Sequence, residues 1–424
     1  MSKLRWILSR LARKLGVRVG LYAVFGVLAA VAASLATRYL PWPMPFDISN
    51  EAIDSLLSVI SSSMLAVTTF SVGALTSAYG AATSNGTPRA TTLLAEDPLV
   101  QSALATFVGS FMFSIVGLVA LRVSAYGPQG RALLFLTTLV VIVLIVQALL
   151  RWIDQLSKLG RVADTTARLE KATEAAMKAR LAAPYLGGQP LQGLPDPDRG
   201  GQLVLAGKVG YVEHVDPGAL SLLCEAEGWR LDVLVLPGSF VYADTPLALV
   251  HAGQEADLSR EMAALIRAAF TLGPARTFDQ DPRFGLVTLS EVALRALSPA
   301  VNDPGTAIDV IGRQTRLLTH WAQGQDAETP RPADYPRISV PPLRSSDLYE
   351  DAFNLIGRDG AGQIDVMLRL VKALDALSRI GPPDARQAAS QQLALARERA
   401  LQNLPMAEEK ERLAAALSRR ASPA

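Results

Sequence analysis

Cys224 is the only cysteine in the chain, so no internal disulfide framework can hold it together, and its rarity suits a reducing compartment. Histidine is nearly as scarce: His214, His251 and His320 are scattered without metal-ligand spacing. The Walker A loop, the dinucleotide-binding glycine fingerprint and the Gly-x-Ser-x-Gly elbow are all missing. These absences argue against an enzyme and lead to the expectation of no cofactor and no metal. A formal net charge of +2 provides no global field to draw nucleic acid.

Charge is also missing where apolar residues run longest. Residues 17–37, 53–82, 99–121 and 132–150 each approach or exceed the roughly 20 apolar residues that span a hydrocarbon core. None holds an ionisable group in its middle, which argues against a proton relay, a voltage sensor or an ion-coupled site. The N-terminal tail carries Lys3, Arg5, Arg10, Arg13, Lys14 and Arg18 without an acid. Arg151, Lys158, Arg161, Arg168 and Lys171 follow the fourth segment. Basic flanks stay inside, so both termini are expected in the cytoplasm, which requires an even number of spans, and four satisfies it. The tail also spaces Leu4, Ile7, Leu8, Leu11 and Leu15 along one helical stripe, suited to an anionic leaflet or to simple orientation. Tyr39 and Trp42, beside a proline-rich run, suit an interfacial aromatic belt.

What is present is most informative in the second segment. No charge occurs between Leu56 and Pro88, yet Ser58, Ser61, Ser62, Ser63, Thr68, Thr69, Ser71, Thr76, Ser77 and Thr83 interrupt the apolar run. At about 100° per residue, Ser58, Ser62, Thr69, Gly73, Thr76, Gly80 and Thr83 share one side, while Val59, Ile60, Val67, Phe70, Ala74 and Ala78 fall towards the other. A small polar face in lipid gains little unless it meets another helix or water, so it is either a conduit lining or a packing seam. Arg89, just beyond, is a candidate for the mouth of a pore, with pairing to Glu96 or a place among headgroups as the plainer alternatives. In the third segment Ser102, Ala105, Thr106, Gly109, Ser110 and Gly117 form a small-residue side for helix packing.

Beyond the fourth segment the helical pattern continues to about residue 183, as if extending that span, and a Pro/Gly linker covers 184–201. The domain plan is a basic tail (1–18), a four-span region (17–155), a helix and linker (156–201), a small β-rich module (202–252) and a helical region (253–424). Within the module, residues 209–212, 231–236 and 247–251 read as strands and 218–227 as a helix started by Asp216-Pro217. The run Pro237-Gly238-Ser239-Phe240-Val241 resembles hairpins of barrel-sandwich, biotinyl/lipoyl-like domains, without the lysine that would take a covalent cofactor. Helical spacing covers 255–272, 286–297, 306–321, 363–380, 385–401 and 406–419, the last two as a hairpin, with a Pro-rich loop at 329–346 holding a short strand near 337–340. The fold class is thus a membrane protein: a four-helix transmembrane bundle plus a cytoplasmic α+β domain.

Two loops hold the remaining candidates. Asp279, Asp281 and Arg283 precede one helix, while Ser298, Asn302, Asp303 and Asp309 lie around the next turn. A helix–turn–helix with Asn302 or Asp303 as cap and Pro304 at the first position explains the second loop without any function. A salt-bridged loop with Arg276 and Arg283 explains the first. The functional alternative is a ligand or interface loop in which Asp279, Asp281, Arg283, Asp303 and Asp309 converge, where four carboxylates would suit a divalent cation.

The motifs Thr-Pro-Arg-Ala (87–90), Asp-Pro-x-Val-Gln (97–101) and Ala-Leu-Ser-Pro-Ala-Val-Asn-Asp-Pro-x-Thr-Ala (296–307) together resemble the bacterial membrane proteins of domain-of-unknown-function family twenty-two fifty-four. The resemblance spans most of the chain and implies an inner-membrane location; it carries no catalytic residues. The expected function is an oligomeric ion channel or pore with a cytoplasmic regulatory domain. The alternative is a non-conducting membrane-anchored sensor or scaffold whose cytoplasmic domain binds a ligand or protein partner. The expected partners are the lipid bilayer, further copies of the chain and an unidentified small ion or ligand.

Overall fold

The computed structural model describes residues 2–39, 49–123, 125–193, 201–252, 258–326 and 332–418. The chain divides into two compact units. The apolar-helix unit takes residues 7–84 and 90–164; the mixed unit takes 1–6, 85–89 and 165–424. Trp42 and most of the proline-rich run lie outside the described residues.

The basic tail forms α1 (Lys3–Ala12), and four long helices follow: α2 (Leu15–Tyr39), α3 (Asn50–Asn85), α5 (Pro98–Arg122) and α6 (Pro128–Leu156), with the short α4 (Thr91–Ala95) before α5. These four are long and apolar enough to cross a membrane. Asp97 starts α5 by accepting from Leu99 N at 2.7 Å, with Pro98 at the first position, where its missing N–H costs nothing. The second carboxylate oxygen of Asp97 accepts from Gln155 Nε2 at 2.7 Å, tying α5 to α6. Helices α2 and α5 make the closest crossing, at Gly26 and Gly109. A Cβ on Gly109 would stand 2.9 Å from the Tyr22 carbonyl oxygen, and one on Gly26 would overlap the Gly109 carbonyl. Gly109 belongs to the small-residue side expected of this helix, and Ala105, Ser110 and Gly117 are buried with it.

α3 joins this unit through large side chains. Ile53 and Leu57 pack with Phe113 and Leu134, while Ile60, Met64 and Leu75 pack with Leu104, Phe107 and Trp152. Val59 and Phe70, placed towards the side opposite the small polar face, are 62% and 67% exposed.

The helix after the fourth span is separate rather than its extension. α6 stops at Leu156, Gly160 takes a left-handed φ of +83°, and α7 (Val162–Ala182) starts afresh.

In the mixed unit, α7 leads to β1 (Gln189–Pro190), β2 (Gln202–Leu205), β3 (Gly210–Val215) and α8 (Pro217–Glu227). Asp216 caps α8 through Ala219 N. β4 (Arg230–Val233), β5 (Phe240–Val241), β6 (Pro246–His251), α9 (Arg260–Ala269) and β7 (Phe270–Gly273) complete this stretch. The strands form a five-stranded sheet, β1-β8-β4-β6-β2, and a three-stranded sheet, β5-β3-β7. β8 (Ile338–Val340) enters parallel between β1 and β4, setting Ile338 opposite Leu231. The sheets therefore draw β1, β7 and β8 from outside residues 202–252. The reason is burial: Leu231, Val250 and Ile338 are fully inaccessible in one shared core. The expected 255–272 helix is also shorter, because its last turn extends into β7 to pair with β3.

The remaining helices are α10 (Pro282–Leu297), α11 (Pro304–Asp326), α12 (Ser345–Asp359), α13 (Ile364–Leu377), α14 (Pro383–Asn403) and α15 (Ala407–Ser418). α12 was not expected. It buries Leu348, Ala352, Phe353 and Ile356 on one stripe, spaced at helical intervals. Helices α10, α11, α13, α14 and α12 pack as a ring in that order. Ser290 and Gln314 lock it, with Gln314 Nε2 donating to Ser290 Oγ at 2.9 Å and Ser290 Oγ donating to Asp351 O at 2.6 Å. Glu170 of α7 clamps α11 by accepting from Arg313 at 2.7 Å and Arg316 at 2.8 Å. The closing α15 packs mainly on α13 rather than pairing with α14, because Leu404 leaves the helix in an extended conformation before Pro405.

Candidate functional site

The polar face of α3 looks away from its own unit. Ser62, Thr69, Gly73, Thr76, Gly80 and Thr83 are exposed and Ser58 is half-buried. A Cβ built on Gly73 or Gly80 would meet open space. With Ala66, also exposed, these positions run 62, 66, 69, 73, 76, 80, 83, alternating steps of four and three. This is the 3.5-residue repeat of a left-handed helix–helix seam, here built of small residues. The helix therefore has two seams, a large-residue one used within the chain and a small-residue one left open.

The hydroxyls on the open seam are already satisfied by their own helix. Ser62 Oγ donates to Ser58 O at 2.9 Å, Thr69 to Leu65 O at 3.0 Å, Thr76 to Val72 O at 2.9 Å and Thr83 to Tyr79 O at 2.9 Å. Such back-bonding removes each proton from the surface and leaves the oxygen lone pairs outward. The face thus presents acceptors without charge.

Arg89 belongs to the mixed unit. Its guanidinium pairs with Glu291 of α10, whose other carboxylate oxygen accepts from Thr87 Oγ1 at 2.8 Å. The Thr87-Pro88-Arg89 turn is thereby anchored on α10, a few residues before the 296–307 motif. Glu291 lies 202 residues from Arg89, and no local signal pointed to the pair.

The two candidate loops place their charges separately. Asp279 accepts from Trp6 Nε1 at 2.7 Å. Asp281, 2% exposed, caps α10 through Phe284 N and takes two bonds from Arg276, at 2.7 and 3.0 Å, as the salt-bridged-loop reading requires. Arg283 turns instead to α12, bonding Asp351 at 2.6 Å and Asp347 at 2.9 Å. Burial raises the Asp351 carboxyl above its usual range, and Arg283 holds it back in part.

In the second loop Asn302 adopts a left-handed φ of +49°, and Ser298 Oγ donates to Arg295 O. Asp303 is the cap: it accepts from Thr306 N at 3.1 Å and Thr306 Oγ1 at 2.6 Å, and these bonds lower its pKa. Asp309 pairs one turn on with Arg313. Among the described residues no group of three or more His, Cys, Asp or Glu side chains is placed to hold a metal. The candidate charges do not converge, because each is bonded to a partner of its own.

Sequence reasoning also passed over Arg180. The pattern of α7 reads as a charged surface helix, yet this arginine is only 4% exposed.

A family model described as "Predicted membrane protein (DUF2254)" matches residues 12–376, the same family that the three motifs suggested. Uncharacterised proteins of Mycobacterium bovis and Mycobacterium tuberculosis are each 32% identical over 123 residues, covering 28% of this chain. The chain spans 23% of the length of those curated relatives. No solved structure matches it.

Proposed function

Because the chain belongs to the DUF2254 family of predicted membrane proteins, we propose that it is a multi-pass protein of the bacterial inner membrane that assembles as a homo-oligomer, with α3 of each copy lining an ion-conducting path. Both termini lie in the cytoplasm, and the mixed unit regulates the path from that side. The observation that carries this reading is the open seam of α3, where small residues and back-bonded hydroxyls repeat without charge from Ser62 to Thr83. Facing lipid, that surface would forfeit the close approach its glycines permit. Facing copies of itself around an axis, it lines a neutral path whose outward lone pairs favour water and cations over anions.

The test is reconstitution of the full chain in liposomes. Potassium flux and cross-linking through α3 are expected together, and Thr69→Leu or Thr76→Leu should suppress flux while the oligomer persists. A chain that stays monomeric in the bilayer sinks the reading. An oligomer without flux removes conduction and leaves the alternative, a membrane-anchored scaffold or sensor.

A further inference from the structure

The mixed unit holds a cavity of about 210 Å³, and three of the residues lining it, Arg180, Trp321 and Gln325, carry buried polar atoms without a partner among the described residues. On one side stands Arg180, 4% exposed, near the end of α7. Its Nε and Nη1 are buried and meet no acceptor among the described residues. On another side α11 presents Trp321 and Gln325, one turn apart, and the Trp321 Nε1 donor and Gln325 Oε1 are likewise buried without a partner. Tyr185, Leu343 and Pro382 supply apolar wall, and the exposed Asp384 stands at the rim, where Ser345 Oγ donates to it at 2.6 Å.

A buried guanidinium without a partner is costly, because desolvation is not repaid by hydrogen bonds. The acid whose charge acts on Arg180 is Asp281, but its carboxylate is already held by two bonds from Arg276 and by the cap of α10. Burial pulls the pKa of Arg180 down to about 10, so it remains a cation at neutral pH. Nor is the arginine there by slack packing. Glu170 clamps α7 to α11 two turns or more upstream, and the contact of Leu181 against Gly324 brings the helices so close that a Cβ on that glycine would lie 2.5 Å from the leucine. The fold thus sets a cation, an indole and a carboxamide along one cavity, and among the described residues Arg180 Nε and Nη1, Trp321 Nε1 and Gln325 Oε1 have no partner.

We infer that this cavity binds a small organic monocarboxylate, its carboxylate received by Arg180 and Trp321 Nε1 and its compact body held against Tyr185, Leu343 and Pro382. One guanidinium matches one carboxylate in charge, and the planar group accepts from converging N–H donors. Asp384 at the rim selects against a second negative charge and favours a ligand that turns an ammonium or hydroxyl towards it. Inorganic phosphate, a multiply charged ion without an apolar body, fits this site less well. The inference is independent of whether α3 conducts.

The test uses the full chain in detergent micelles, with thermal melting followed as benzoate, alanine or inorganic phosphate is raised to millimolar levels. Benzoate or alanine should raise the melting temperature, since a ligand bound only by the folded state stabilises it by mass action. Arg180→Met should remove that shift while melting no lower than the parent without ligand, because it deletes an unpaired buried charge and keeps the aliphatic stem. Trp321→Phe retains the wall and loses the donor, so it should weaken binding severalfold in a folded protein. The inference is overturned if neither carboxylate shifts the parent, if the shift survives Arg180→Met, or if phosphate alone stabilises. It is equally overturned if Arg180→Met melts well below the parent, which would make the arginine a structural group.

Discussion

The crossing of α2 and α5 yields a stringent prediction. Gly109→Ala adds a methyl group whose carbon would stand 2.9 Å from the Tyr22 carbonyl oxygen and 3.2 Å from Tyr22 Cβ, well inside the roughly 3.5 Å of a relaxed contact. Two of the opposing atoms are backbone, so no rotamer change relieves the clash and the helices must move apart. Overpacking of this kind costs about 1–3 kcal/mol, and alanine returns at most about 1 kcal/mol of helix propensity. The expected net loss is on the order of 1–2 kcal/mol, about a tenfold change in the unfolding equilibrium. Gly26→Ala should behave alike, and the double variant should lose less than the sum, because both methyl groups wedge one contact.

The control sits in the same unit. Gly73 and Gly80 face open space, so Gly73→Ala and Gly80→Ala should leave the monomer unchanged or stabilise it by up to about 1 kcal/mol. The assay is reversible unfolding of the full chain in mixed micelles, titrated with denaturing detergent and followed by circular dichroism. If Gly109→Ala proves as stable as the parent while Gly73→Ala is destabilised, the assignment of inner and outer seams is wrong. In bilayers the same Gly73 and Gly80 variants should instead weaken association between copies.

Other consequences are simpler to measure. Glu291→Ala takes the acceptor from the buried Thr87 hydroxyl and removes the pairing of Arg89 with α10, so it should cost about 1–3 kcal/mol in thermal melting and speed proteolysis at residues 85–89. Arg283→Met takes the hydrogen-bonded cation away from the half-buried Asp351 carboxylate. Because burial already raises that carboxyl, the charged form opposes folding, and the stability deficit should be larger near neutral pH than near pH 4, where protonation relieves it. Cys224 is 1% exposed, and burial pushes its thiol up to about 11, so a thiolate-selective alkylating agent should spare it in the native protein and label it on unfolding.

The four long helices, the cap at Asp216 and the turn before Pro304 were legible because their signals are local: run length, periodicity and proline at a first helical position. What escaped notice is mostly non-local. β8 was visible as a short extended run, but its place between β1 and β4 depends on chain more than 100 residues away. The break before α7 turned on one glycine at +83° inside an otherwise helical pattern. α12 is the exception, since Leu348, Ala352, Phe353 and Ile356 carry a plain helical period that the preceding prolines obscured. The candidate site divides in the same way. The α3 face was legible as a periodicity, whereas the partners of Arg89 and Arg283, and the burial of Arg180, arise only when distant helices meet.

The two polar features of this chain differ in a way that dictates how each can act. On α3 the hydroxyl protons at Ser62, Thr69, Thr76 and Thr83 are bonded within the helix, so the face is complete before anything touches it. Lipid, water and a second helix can all meet it without leaving a donor unpaired, and small side chains tip that balance towards a second helix. If copies of the chain associate through this face, substitutions there should change association before they change the fold. At Arg180, Trp321 and Gln325 the donors and acceptors are buried and incomplete, and the folded state carries the cost until a partner arrives. Occupancy of that cavity must then stabilise the mixed unit itself. If the mixed unit regulates α3, the coupling is reciprocal: a carboxylate that shifts association of the α3 seam must itself bind with altered affinity when the seam is cross-linked.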